Sequence, residues 1–129
     1  MLTLGELARR QRDPVTSACA GSLRYSAAWA NRLPRALALP ADARVDEAAG
    51  SDGGPCALRT VSFATSRPVS EMVAWYRSRA AAAGWSAEHS TDRGGDIVAG
   101  TMGNGAYAAH LSPRTDGGSD VDLVVNDER

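Results

Sequence analysis

The chain has 129 residues, enough for one hydrophobic core and too few for two, so a single folding unit is expected. Its 14 arginines against 15 aspartates and glutamates leave a net charge of −1, which argues against a general nucleic-acid or anionic-membrane binder. No stretch of about 18 apolar residues is present, so no transmembrane helix is expected, and "MLTLGELARRQRDP" lacks the apolar region of a signal peptide.

In chain order, Asp13 followed by Pro14 is a helix opening: a capping acceptor, then a residue whose fixed φ suits the first turn. From there "VTSACAGSLRYSAAWANRL" is predicted to run as one helix to Leu33, with Val15, Cys19, Ser22, Ser26, Trp29 and Leu33 on one stripe. Although "VTSAC" ends in a cysteine, the charged "RRQRDP" before it cannot serve as the apolar segment of a lipidation signal. Residues 1–34 are therefore read as an N-terminal helical segment and residues 35–129 as one sheet-and-helix domain.

Pro34 and Pro40 bracket an extended crossing segment. A strand at the sheet edge is predicted around Arg44 to Ala48, followed by turn chemistry in "SDGGP". In "CALRTVSFAT", Val61, Phe63 and Thr65 alternate on one face while Leu58 is out of phase, which predicts a bulge near Arg59 or Thr60. The two cysteines, Cys19 and Cys56, are too few and too far apart for a metal knuckle; an even pair in a small domain predicts a disulfide.

A helix from about Pro68 to Ala83 carries Val69, Met72, Val73, Tyr76, Ala80 and Ala83 on its apolar face, with Trp75 on the flank and Gly84 as the stop. "WSAEHST" then alternates as a strand. In "DIVAGTMGNGAYAAHLSP", Asn104 and Gly105 predict a two-residue type I′ hairpin that pairs Met102 with Tyr107, Gly100 with Ala109 and Val98 with Leu111. The loop in "PRTDGGS" must hold an odd number of residues if Leu111 and Ala109 are to share a face with Val121 and Leu123, which sets His110 opposite Asp122 and Ser112 opposite Asp120. The predicted class is α+β: an N-terminal helix, then ββαββββ, with one long helix packed on an antiparallel sheet.

The run "VSFATSRPVSEMVAWYRSRAAAAGW" resembles small bacterial envelope domains, many of them lipoprotein-borne and of unassigned function: VxFxT, a Pro-led helix with an aromatic–Tyr pair, then AGW and short strands. The resemblance spans roughly Leu39 to Val125 and implies a helix gripped by an antiparallel sheet in an exported, periplasmic or cell-envelope protein, given a signal upstream; without one the location is cytoplasmic. It carries no catalytic motif.

Four groups of residues have chemical potential. Trp29, Trp75 and Tyr76 could line an aromatic groove for a small ligand, although Tyr76 and Trp85 fall at inward positions and read first as packing anchors. His110 opposite Asp122, with Thr101, Ser112 and Asp120 on the same face, has the residue types of a hydrolytic triad, but the serine sits in a strand without a nucleophile elbow. His89 and His110 lie on separate strands without metal-ligand spacing, so no metal is expected. The glycine pairs precede no helix and read as turns, not phosphate cradles. The sequence thus points to a noncatalytic domain that binds an envelope partner or supports an envelope assembly, without a cofactor. A small-ligand carrier is the second reading, and a hydrolase built on His110 the third.

Overall fold

A computed structural model describes residues 3–11, 14–53, 56–92 and 95–127. Helix α1 (Leu4–Arg9) is capped by Thr3, whose hydroxyl accepts from the Glu6 amide. Helix α2 (Pro14–Cys19) begins at the expected proline; Asp13, the expected cap, lies outside the described residues.

The predicted helix to Leu33 stops at Cys19. A 3-10 turn at Ala20–Ser22, strand β1 (Arg24–Tyr25) and a 3-10 turn at Ala27–Asn31 take its place, and a further 3-10 turn at Arg35–Leu37 lies within the Pro34–Pro40 stretch expected to be extended. The serines explain the break: Ser22 Oγ donates to the Cys19 carbonyl and Ser26 Oγ accepts from the Ala28 amide, so hydroxyls take over backbone groups that a helix would use. Ser22 and Ser26 are consequently exposed instead of lying on a buried stripe.

Strands β2 (Arg44–Gly53) and β3 (Cys56–Thr65) form an antiparallel pair, and helix α3 (Val69–Ala82) follows. Strands β4 (Glu88–Asp92), β5 (Gly95–Met102), β6 (Gly105–Pro113) and β7 (Ser119–Asn126) complete one antiparallel sheet of order β1-β2-β3-β7-β6-β5-β4. The chain is thus α+β. β2 is flanked by β1 at Ala49 and Gly50, which the sequence did not foretell.

The irregularity in the β2–β3 pair falls on β2, between Val45 and Glu47, and β3 is regular through Arg59 and Thr60. Leu58 is out of phase for a different reason: it points to the opposite face of the sheet, where it packs in a second cluster with Leu7, Ala8, Cys19, Ala20 and Val124. The main cluster occupies the other face. There Val61, Phe63, Val98, Tyr107, Ala109, Leu111, Val121, Leu123 and Val125 meet Met72, Val73, Tyr76 and Ala80 of α3, along with Leu37, Ala48 and Trp85. Ala83, placed by the sequence on this apolar face, is exposed at the helix end.

In the β5–β6 hairpin the two turn residues are Gly103 and Asn104, and Met102 pairs with Gly105, Gly100 with Tyr107 and Val98 with Ala109. Gly103 has φ +58° and no non-glycine residue among those described has positive φ, which is the type II′ pattern. The predicted register was therefore displaced by two residues. Because side chains alternate with period two, each residue stayed on its expected face. The β6–β7 pairing is as expected, with five loop residues between Pro113 and Ser119, His110 opposite Asp122 and Ser112 opposite Asp120.

The connection from β3 to α3 is organised by Asp42. Its Oδ2 accepts from Thr65 Oγ1 at 2.8 Å, Ser66 Oγ at 2.6 Å and the Ser66 amide at 3.0 Å, and its Oδ1 from Arg67 Nε at 3.3 Å. These bonds, the Ser66 hydroxyl foremost, hold its carboxyl well below the usual carboxylate range. A depressed folded-state pKa means that the stabilisation is present above about pH 4 and is lost as pH falls below it. Asp42→Ala is expected to cost about 1 kcal/mol at neutral pH, the yield of such bonds at a partly exposed site. Denaturation series at pH 7 and pH 3 should show the parent–variant gap shrinking with acidification; a constant gap would mean that Asp42 is not the organiser.

Candidate functional site

The richest chemistry outside the core surrounds Trp29. Its indole lies so close over Gly50 that a Cβ there would come within 2.3 Å of the ring, so only glycine admits this contact. The guanidinium of Arg32 lies 4.7 Å from the ring centroid and that of Arg59 4.8 Å. Both are tied to one carboxylate: Asp52 Oδ2 is 2.7 Å from Arg32 Nη2, and Oδ1 is 2.8 Å from Arg59 Nη1. Burial pushes the Asp52 carboxyl up, but the hydrogen bond and charge of Arg59, then of Arg32, outweigh it and leave the pKa lowered. Arg59 is further fixed by donating to the carbonyls of Arg32 and Leu58, and its side chain is only 11% exposed. Beside this cluster opens a pocket lined by Arg32, Leu33, Pro34, Ala57, Arg59 and Asp127.

A second aromatic–guanidinium stack lies on α3. Arg79 sits 4.8 Å over Trp75, whose ring meets Tyr76 edge-on at 5.0 Å. The same guanidinium donates to the Ala36 carbonyl at 3.3 Å and the Arg35 carbonyl at 2.9 Å. Arg79 thereby fastens α3 to the 3-10 turn at Arg35–Leu37, which follows directly on the segment carrying Trp29 and Arg32. The two half-buried tryptophans therefore lie on elements linked through the Arg79 bonds to residues 35 and 36. Tyr76 lines no groove: the side chain is fully buried, and burial raises its phenol pKa far above the usual value. Of the three expected groove residues, only Trp29 and Trp75 are partly exposed, and the pocket beside Trp29 has no wall from α3.

No protein-family model, curated protein or solved structure matches this chain. The functional reading therefore rests on the geometry of its own residues.

On the opposite face of the sheet, Ser62, Asp122 and His110 lie in one cross-strand row on β3, β7 and β6. The Ser62 hydroxyl donates a short hydrogen bond to Asp122 Oδ1. The hydroxyl thus sits on the carboxylate, which separates it from the imidazole in the row, whereas a triad needs the imidazole between the other two. Ser112 is exposed and opposite Asp120, whose Oδ1 is 2.7 Å from Arg114 Nη1. His89 pairs with Asp96 at 2.6 Å on the helix-bearing face, while His110 is on the other, so the sheet separates the two histidines. Among the described residues, no group of three or more His, Cys, Asp or Glu is arranged to hold a metal.

Sequence reading missed the arginine surface. Arginines that appear scattered along the chain are brought onto neighbouring elements by the fold: Arg32 from a loop and Arg59 from β3 share Asp52, and Arg79 from α3 bonds the carbonyl of Arg35 in a 3-10 turn. The only local signal was Trp29 with Arg32 three residues on, a spacing too common to point to a site.

Proposed function

We propose that the protein is a noncatalytic binding domain of an oxidising extracytoplasmic compartment, the bacterial cell envelope, and that it engages a partner through the Trp29–Arg32–Arg79–Trp75 surface. The observation that carries the reading is the pair of half-buried tryptophans, each stacked under a guanidinium, with Arg79 tying α3 to the turn that follows the Trp29 segment. Tryptophan and arginine are the residue types that dominate interface hot spots, since they bring large area and directional donors with little freedom left to lose. The compartment is supported by the Cys19–Cys56 disulfide, a bond that persists under oxidising conditions. No helix among the described residues is long and apolar enough to cross a membrane, in keeping with a domain that works beside one.

Site-specific photo-cross-linking in the native host tests this reading. A photoreactive residue in place of Arg35 is expected to give a discrete adduct, and the same residue in place of Ser112, on the opposite face, none. Adducts at Ser112 alone, or at neither position, would count against this surface as the partner-binding one.

A further inference from the structure

We infer that the partner segment received by this surface is an acidic stretch of polypeptide; the inference rests on the binding surface proposed above. Arg32 and Arg59 share Asp52 and line a pocket with Asp127. On the adjoining elements Arg79, whose guanidinium reaches the Arg35 carbonyl, and the exposed Arg35 make no ion pair among the described residues, so this side carries uncompensated cations in a chain whose net charge is −1.

The donors are unevenly committed. Arg59 is spent internally, on Asp52 and on the Leu58 and Arg32 carbonyls. Arg32 commits Nη2 to Asp52, and its Nε and Nη1 make no hydrogen bond among the described residues. The exposed Arg35 guanidinium has no ion pair or hydrogen bond there either. A guanidinium with an unspent edge is matched in plane and spacing to a carboxylate, which takes two parallel N–H bonds.

The arrangement favours a peptide over other polyanions. Asp52 and Asp127 interrupt the cationic surface, so a nucleic-acid backbone with a phosphate at every step would meet them, as would a continuous anionic bilayer. Carboxylates spaced along a polypeptide can be set to avoid both.

The test is fluorescence anisotropy of a labelled peptide of alternating Glu and Ser, with its Gln-for-Glu counterpart, duplex DNA, and vesicles of phosphatidylglycerol and phosphatidylcholine as comparisons. The acidic peptide is expected to bind at about 10–100 µM, the range for a few exposed charge pairs, and to weaken with added salt. Arg32→Gln with Arg35→Gln is expected to weaken it about tenfold, equivalent to about 1.4 kcal/mol. Arg35→Glu alone guards the result, since that side chain makes no internal bond whose loss could disturb folding. Equal binding of the Gln peptide, tighter binding of DNA or vesicles, or full retention by the arginine variants would overturn the inference. If no probe binds while Arg35 still cross-links in the host, the acidic class is wrong and the binding surface stands. If neither occurs, both fall.

Discussion

Tyr76→Ala is expected to destabilise the fold by about 3–5 kcal/mol, the cost of emptying a large aromatic site in a closed core. Tyr76 is fully buried on α3, in the cluster that includes Phe63, Val98, Leu111 and Val121 of the sheet. Among the described residues α3 is the one α-helix contributing to that cluster, so the emptied space has no second helix layer beside it to fill it. Trp85→Ala belongs to the same class. Trp85 is 4% exposed, its ring meets Tyr107 edge-on at 5.5 Å, and its amide donates to the Ala80 carbonyl at 2.9 Å, so it locks the helix end to the sheet. Trp75→Ala should cost far less, about 1 kcal/mol, because a half-exposed ring loses little buried area and one stacked guanidinium. Tyr76→Phe separates packing from polarity. The Tyr76 hydroxyl is buried with no hydrogen-bond partner among the described residues, so its removal should be neutral or stabilising. Urea midpoints of the four variants against the parent decide the matter; parental midpoints for Tyr76→Ala and Trp85→Ala would show that neither residue anchors the helix.

Removing the disulfide, as Cys19→Ala with Cys56→Ala, is expected to cost about 4 kcal/mol, the loop-closure entropy for the 37-residue separation it spans. The loss should be uneven. Cys19 and its neighbours form a cluster separate from the main core, on the other face of the sheet, and α1 and α2 are each six residues long, too short to persist without packing. Amides of α1 and of Val15–Cys19 in α2 should therefore lose hydrogen-exchange protection first, while those of β6 and β7 stay protected. Alkylation of the oxidised parent under mild denaturation should add nothing to its mass. Two additions, or equal loss of protection across the whole sheet, would contradict this description.

Besides the α+β class and helix α3, three features were legible from residue order and composition. Alternation fixed which side chains of β5, β6 and β7 share a face, and it survived the displacement of the β5–β6 register because a shift of two residues leaves the period-two pattern intact. The odd loop length between β6 and β7 followed from the same parity. The cysteine pair followed from number and domain size. Tertiary structure decided the rest. Whether residues 14–33 form one helix depended on serine hydroxyls competing for backbone groups and on β2 accepting β1 as a neighbour, neither of which is visible in an apolar stripe. Leu58 read as a bulge because a sequence shows one apolar face by default, whereas this sheet packs on both. The hydroxyl that reaches Asp122 came from Ser62, 60 residues away, and not from the nearby Ser112. The arginine surface is the fullest case: Arg32 and Arg59 meet at Trp29 and Asp52 only once the sheet is formed, and Arg79 reaches the Arg35 carbonyl only once α3 is packed. A pattern along the chain records the period of each element, but a site built from four elements exists only in the distances between them.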